Sequence, residues 1–227
     1  MRYTLDEHVR QDPRILNVYS AARRIYDSES RYHHNFDHVL RDLYRALVIA
    51  ADEAPVHYST LIPSVLLHDI GFSDPSFERL GHDVAGAHLA EDLLGELGYE
   101  QMLVEAVSHC IRAHKGKAEL PETLEAKILY DADVLEKAGL VYLILGGKIV
   151  CEFGETIDDF LKRESADRKN ELERGFYTRK ARELDGGRLE QVSSLLSRIK
   201  VEIKEIRPDF GICEKDLWSE KIPYPSV

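Results

Sequence analysis

The chain has 227 residues, of which 44% are hydrophobic, and its 41 acidic and 30 basic side chains leave a formal charge of −11. This hydrophobic content supports a packed core and argues against disorder, and the acidic balance argues against general binding to the phosphate backbone of nucleic acids. The apolar runs are too short to span a bilayer, the N-terminal stretch lacks the apolar segment of a signal peptide, and the three cysteines form no CxxC pair. We therefore expect a cytoplasmic protein that does not bind membranes.

Apolar residues recur three and four positions apart almost throughout the chain, and no segment alternates, so we predict an all-α protein. The predicted helical segments, in chain order, begin at Asp12-Pro13 and at Phe36, and then cover 59–71, 81–97, 100–113, 123–138 and parts of 156–206. Leu140 to Val150 is predicted to form a short buried helix and then an extended piece, because Gly146-Gly147 interrupts it. No repeat or long linker divides the chain, so we expect one domain over 1–227.

Histidine and aspartate residues interrupt the apolar pattern at three places. His38 lies near the start of the second helix, His68-Asp69 ends the buried third helix, and Asp133 lies within an apolar helix. Imidazole and carboxylate ligands together suit Mn, Fe, Co, Ni or Zn better than Ca or Mg. A buried carboxylate needs a cation or strong hydrogen bonds, but a His-Asp pair or a lone aspartate taken singly more often indicates a helix-terminal charge or a cap.

Three motifs resemble those of the HD-domain superfamily of metal-dependent phosphohydrolases. Tyr32-His33-His34-Asn35-Phe36-Asp37-His38 is similar to a YHN-x-x-H segment of that superfamily, with one extra histidine. Leu66-Leu67-His68-Asp69-Ile70-Gly71 resembles its central motif, and 124–133 resembles the segment around its last metal ligand. The resemblance covers about 30–138. It implies an HD-type helical bundle with a metal site in its core, on which C-terminal helices within 156–206 pack.

The resemblance also implies the ligands of that site. His38, His68, Asp69 and Asp133 are expected to bind a divalent transition metal. In many relatives the aspartate of the central motif bridges to a second ion, which two further histidines bind. The candidates here are His82, in a segment similar to an H-x-x-x-G-A helix start, and His114, at the end of an I-x-x-H segment; His88 and His109 are the weaker alternatives. Whether one or two ions bind is left open, since His82 and His114 could instead line a polar cavity.

An anionic substrate entering so acidic a chain requires local positive charge. Arg112 and Lys115 flank His114 and are the best candidates for phosphate contacts, although an ordinary solvated loop would explain them equally well. Arg31 is a further candidate, and His34 is expected either to contact substrate or to orient His38. Several branches of the superfamily carry lysine where this chain has Phe72, so a phosphate contact at that position is absent.

These observations together predict a metal-dependent hydrolase that cleaves a phosphate ester of a small molecule, with a nucleotide among the candidates, by means of metal-activated water. Asp69 is the expected catalytic residue, because it would hold one or two ions and orient that water. Two alternatives stay open: a di-iron oxygenase built on the same fold, and a non-catalytic binding module. A homo-oligomer is also left open.

Overall fold

The computed structural model describes residues 5–29 and 31–206, and within these ranges it contains helices and no strands. The α-helices of this part of the chain are α1 Asp6–Gln11, α2 Arg14–Glu29, α3 Phe36–Ala50, α4 Tyr58–Leu67, α5 Phe77–Leu80, α6 His82–Glu96, α7 Gln101–Ala113, α8 Leu124–Glu136, α9 Val141–Phe153, α10 Ile157–Arg174, α11 Arg179–Asp185 and α12 Arg188–Ile206. A 3-10 helix over Ile70–Ser73 follows α4. The all-α prediction is therefore confirmed.

The main departure from the predicted elements is α9, which runs unbroken through both glycines. A Cβ atom on Gly146 would lie 2.7 Å from the Phe160 ring, so the missing side chain lets α9 approach α10 closely. Tyr142, Leu145 and Ile149 bury one face of α9 in the same contact. This packing outweighs the cost of about 1 kcal/mol that each helical glycine imposes. The short helices α1 and α5 were not predicted, and Cys213 lies outside the described residues.

The principal core forms around α4, whose residues 60–67 are all buried. Helices α2, α3, α7 and α8 pack around α4, and α6 packs on α7. No face of this apolar run is exposed, and His68 and Asp69, which follow it directly, are buried as well. Among the described residues, no helix combines the length and apolar character that crossing a bilayer requires.

The C-terminal helices contact this core through polar side chains as well as apolar ones. Asp131 on α8 accepts hydrogen bonds from the backbone nitrogens of Tyr177 and Thr178, at 2.9 and 2.7 Å, and so fixes the start of α11. Glu152 on α9 accepts hydrogen bonds from the backbone nitrogens of His33 and His34, at 2.7 and 3.1 Å. Asp131 thus ties the start of α11 to α8, and Glu152 ties α9 to the segment that precedes α3.

A close backbone contact joins the His68-Asp69 corner to α6. A Cβ atom on Gly71 would overlap the carbonyl oxygen of His82 and lie 2.5 Å from the nitrogen of Gly86. A Cβ atom on Gly86 would in turn lie 3.1 Å from the nitrogen of Gly71. Glycine at these two positions is thus what brings His82 next to Asp69.

Replacement of Gly71 should separate these elements. We expect Gly71→Ala to lower the free energy of unfolding by about 1–3 kcal/mol, because the added methyl group overpacks a backbone contact. Gly95→Ala is the matched control, since Gly95 lies on α6 with open space around it, and it should stabilise the helix by about 0.5–1 kcal/mol. Urea denaturation measures both, and an unchanged midpoint for Gly71→Ala would contradict the assigned contact.

Candidate metal centre

The end of α4 presents the imidazole of His68 to the interior in a fixed orientation. Its Nδ1–H donates a hydrogen bond to the carbonyl oxygen of Val65 at 2.8 Å, which leaves Nε2 with a free lone pair. The next residue, Asp69, receives a hydrogen bond on its backbone nitrogen from the Tyr26 hydroxyl at 3.1 Å. Both side chains have no exposed surface.

One oxygen of Asp69 forms a triangle with two histidines. Asp69 Oδ2 lies 3.3 Å from His38 Nε2 and 3.3 Å from His68 Nε2, and the two nitrogens are also 3.3 Å apart. Asp133 on α8 and Asp42 on α3 bring further carboxylate oxygens to the same place, all within 4.8 Å of the two imidazole nitrogens. The four ligands that the resemblance implies are therefore brought together.

The other oxygen of Asp69 faces a second pair of histidines. Asp69 Oδ1 lies 3.4 Å from His82 Nε2 and 3.4 Å from His114 Nε2. His114 donates a hydrogen bond from Nδ1 to the carbonyl oxygen of Ile111 at 2.6 Å, and the ring of His82 stacks on Phe72 with centroids 4.2 Å apart. Asp69 thus lies between two groups of ligands, with one oxygen toward each.

These residues fit divalent ions on two grounds. Neither oxygen of Asp69 has a hydrogen-bond partner among the described residues, and the same holds for His82 Nε2, His114 Nε2 and Asp133 Oδ1, although all are buried. Buried polar atoms without partners are costly unless a ligand satisfies them. Atoms that bind one ion at roughly 2.0–2.2 Å lie about 3–3.6 Å apart in tetrahedral or octahedral geometry, which matches the observed separations. The arrangement could hold two ions bridged by Asp69.

The electrostatic balance of the cluster also favours cations. Burial alone would lower the pKa of His38, but the carboxylates of Asp42, Asp69 and Glu136 outweigh it and raise the pKa to about 10. A proton on His38 therefore neutralises part of the negative charge in the absence of metal. Burial lowers the pKa of His114, which keeps its imidazole in the neutral form that binds metals.

Asp42 and Glu136 are two functional candidates that the motifs did not reveal. Asp42 Oδ2 lies 3.4 Å from His38 Nε2, and Glu136 Oε1 lies 3.6 Å from His38 Nδ1 on the other side of the ring. Arg41 and Arg45 pair with these carboxylates, and both arginines contact Glu136. The spacing of His38 and Asp42, four residues apart on one helical face, is the signal that could have identified Asp42.

Two lysines approach Asp133 from different elements. Lys137, one turn further along α8, lies 2.7 Å from Asp133 Oδ2, and Lys115 lies 3.3 Å from the same oxygen. Burial would raise the pKa of Asp133, but Lys115 and Lys137 hold it well below its usual range. Lys115 was predicted from its place beside His114; Lys137 was not predicted. Both line the cleft described below.

The remaining predicted residues are not all brought to the cluster. Arg112 turns away to hydrogen-bond Glu119 at 2.9 Å and Glu91 at 3.3 Å. His109 uses both ring nitrogens elsewhere, with Glu119 at 2.6 Å and the backbone nitrogen of Glu122 at 3.3 Å. His88, the weaker alternative to His82, is exposed.

Arg31 supports the wall of the site instead of entering it. Its guanidinium donates to the carbonyl oxygen of Phe72 at 2.7 Å and lies 4.9 Å from the centre of the Phe72 ring. His34 lies in the wall itself, with Nδ1 2.6 Å from Glu152 Oε1. His33 beside it is buried, and its ring centroid is 5.0 Å from that of His38. Glu152 and the position of His33 were not predicted.

A cleft of about 620 Å³ opens beside the ligands. Its inner end is lined by His82, Asp133 and Lys115, and Phe72 and Phe153 form an aromatic wall. The cleft continues along α10, past Asp167 to Arg174. It is large enough for a small organic molecule that reaches from the ligands to the C-terminal helices.

The residues of this site lie in a region that resembles known proteins. A family model described as HD domain matches residues 35–138, which contain all six proposed ligands. The chain is similar to the crystal structure of a predicted HD superfamily hydrolase from an uncultured Thermotogales bacterium, at 27% identity and a TM-score of 0.55, covering 88% of this chain and 99% of the other. Residues 35–138 of the chain therefore form an HD domain.

Two further solved structures share the fold at lower identity. One is a Lactobacillus plantarum protein, with 16% identity, a TM-score of 0.64, and coverage of 86% of this chain and 98% of the other. The second is Bacillus subtilis YpgQ in complex with ADP, with 21% identity, a TM-score of 0.56, and coverage of 85% and 97%. A search of curated proteins found no match.

The geometry around Asp69 predicts the metal content of variants. Protein saturated with Mn²⁺ and then desalted is expected to retain about two ions per chain. His82→Ala and His114→Ala should each retain about one, and Asp69→Ala should retain almost none because it faces both groups. Elemental analysis measures this, with His57→Ala as the exposed-histidine control. One ion in the wild type would remove His82 and His114 from the ligand set.

Proposed function

We propose that this protein is a metal-dependent hydrolase that cleaves a phosphate ester of a small molecule. The observation that carries the proposal is Asp69, a buried carboxylate with one oxygen 3.3 Å from His38 and His68 and the other 3.4 Å from His82 and His114. The HD domain at residues 35–138 and the similarity to a predicted HD superfamily hydrolase support it. The ADP complex of YpgQ makes a nucleotide a reasonable candidate substrate.

The ligand set would supply the charge that phosphate ester hydrolysis requires. Divalent ions held by His38, His68, Asp69 and Asp133, and by His82 and His114, would withdraw charge from phosphoryl oxygens and lower the pKa of water toward neutrality. The other roles in the proposed reaction belong to side chains of this protein. Asp69 fixes the relative position of the two groups of imidazoles, and Glu136 orients His38 through the ring nitrogen Nδ1, opposite the one that faces Asp69.

We assign phosphate binding to Lys115 and Lys137. Both line the cleft and share Asp133 as a partner. If Asp133 bound a metal ion, its attraction for the ammonium groups of Lys115 and Lys137 would weaken. Those groups would then be free to bind an anion in the cleft. These lysines thus supply the positive charge that is missing at Phe72.

We assign to His34 the proton transfer from the attacking water to the leaving oxygen. Its Nδ1 lies 2.6 Å from Glu152 Oε1, and two backbone N–H groups and Arg31 hold that carboxylate in turn. Burial lowers the pKa of His34, so the neutral imidazole donates from Nδ1 and presents a free lone pair at Nε2. His34 Nε2 can then accept a proton from the attacking water and deliver it to the leaving oxygen.

Loss of Asp69 should remove the activity. We expect metal-loaded wild type to release phosphate from at least one compound in a panel of nucleotides and sugar phosphates, and Asp69→Ala to do so about a thousandfold more slowly or not at all. Asp92→Ala, an exposed carboxylate on α6, is the control that should retain activity. Full activity in Asp69→Ala would refute the proposal. Oxygen consumption by iron-loaded protein that releases no phosphate would instead indicate the oxygenase.

The role of His34 predicts a dependence on the leaving group. Glu152→Gln should slow cleavage of an alkyl phosphate by about a hundredfold, because the imidazole loses the carboxylate that orients it. Cleavage of p-nitrophenyl phosphate should fall much less, since p-nitrophenolate leaves without a proton. Steady-state rates on both substrates measure the effect. An equal loss on the two substrates would assign Glu152 a purely structural role.

A further inference from the structure

The outer part of the cleft is built by α10, which lies beyond the matched residues 35–138. Arg168 on this helix lines the cleft, yet only 1% of its surface is exposed. Its guanidinium lies 5.3 Å from the centre of the Tyr142 ring. A charged group buried to this extent normally has partners for all its donors, because burying an unsatisfied N–H is costly.

Arg168 does not have hydrogen-bond partners for all its donors. Its Nη2 donates to Glu171 Oε1 at 3.1 Å and lies 3.7 Å from Glu164 Oε2. Its Nε and Nη1 have no hydrogen-bond partner among the described residues. Two of its three nitrogens are therefore left for a ligand.

The neighbouring arginines of α10 differ in this respect. Arg163 donates from Nε and Nη2 to Glu155, at 2.8 and 2.7 Å, and from Nη1 to Glu164. Arg174 donates from Nη2 to the carbonyl oxygen of Gly116 at 2.9 Å and from Nη1 to that of Lys115 at 3.4 Å. Both arginines line the same cleft. The unpartnered donors of Arg168 are thus a property of that residue and not of the helix.

A chain of ion pairs connects Arg168 to the metal ligands. Asp133 contacts Lys137 at 2.7 Å, Lys137 approaches Glu171 to 3.6 Å, and Glu171 Oε2 lies 2.9 Å from Arg168 Nη2. All four side chains line the one cleft. A single small molecule can therefore place one end at Asp133 and the other at Arg168.

We propose that Arg168 forms a second anion subsite, which binds a phosphate or carboxylate group of the substrate other than the group that is cleaved. The preferred substrate is then a small compound with two separated anionic groups, and compounds with a single phosphate are poorer substrates. Nε and Nη1 carry unpartnered N–H groups on a planar cation, and these can donate to oxygens of such a group in a way that the ammonium group of lysine cannot reproduce. The identity of the ligand as a substrate rests on the proposed function, whereas the subsite itself does not.

Binding of inorganic phosphate to protein stripped of metal tests the subsite without any hydrolysis. Calorimetric titration should show saturable binding to the wild type, weakened about tenfold in Arg168→Lys and changed by less than about twofold in the matched control Arg163→Lys. Thermal melting checks that both variants are folded. In the wild type itself, the NMR resonance of the Arg168 Nε–H should shift on phosphate addition while that of Arg163 stays, which keeps the test valid if a variant fails to fold.

Kinetics on metal-loaded protein then test the substrate class. Arg168→Lys should raise KM about tenfold for a sugar bisphosphate and leave KM for p-nitrophenyl phosphate nearly unchanged. Equal effects on both substrates, or no Arg168-dependent phosphate binding, would overturn the proposal. Arg168-dependent phosphate binding in a protein that hydrolyses no phosphate ester would instead retain the subsite and refute the proposed function.

Discussion

The structure is organised around the cost of burying the carboxylate of Asp69. Its side chain has no exposed surface and its oxygens have no hydrogen-bond donor among the described residues, so cationic or metal neutralisation must come from its surroundings. Four imidazoles from α3, the end of α4, the start of α6 and the end of α7 converge on it. Each of these helices must end or turn at a particular residue for this to occur. The glycine contact between Gly71 and Gly86 follows from the same requirement, because it sets the distance from Asp69 to His82.

The charge around this carboxylate is arranged in layers. His38 has Asp42 and Asp69 near Nε2 and Glu136 near Nδ1, and Arg41 and Arg45 neutralise the outer carboxylates. On the cleft side, Lys115 and Lys137 balance Asp133. A divalent ion can replace a proton and release ammonium groups in such a site without leaving a buried charge unpaired. The buried network is therefore compatible with both the metal-free and the metal-bound protein.

The fold and the grouping of the buried histidines and aspartates could be predicted from the sequence. Contacts between distant parts of the chain could not. Helical periodicity predicts α2 to α4 and α6 to α8, and the order His38, His68-Asp69, Asp133 is sufficient to suggest the cluster. Glu152 could not be predicted, because its link to His34 crosses 118 residues and carries no local pattern. Arg112 was misleading for the opposite reason: it lies next to His114 in sequence, but the helix points its side chain toward Glu91 and Glu119. Gly146 shows the same limit, since only the position of Phe160 explains it.

The positive charge that lines the cleft is divided between the HD domain and α10. Phe72 stacks on His82 and contacts the guanidinium of Arg31, so the residue after Gly71 contributes an apolar wall to the cleft. Among the described residues, the lysines and arginines that line the cleft all follow α7: Lys115, Lys117 and Lys137, and on α10 Arg163, Arg168 and Arg174. The arginines of α10 lie outside residues 35–138, which match the HD-domain model. Under the proposals made above, the metal ligands and both phosphate-binding lysines belong to the HD domain, whereas the second anion contact, Arg168, belongs to α10. That contact could therefore change without disturbing the buried carboxylate of Asp69.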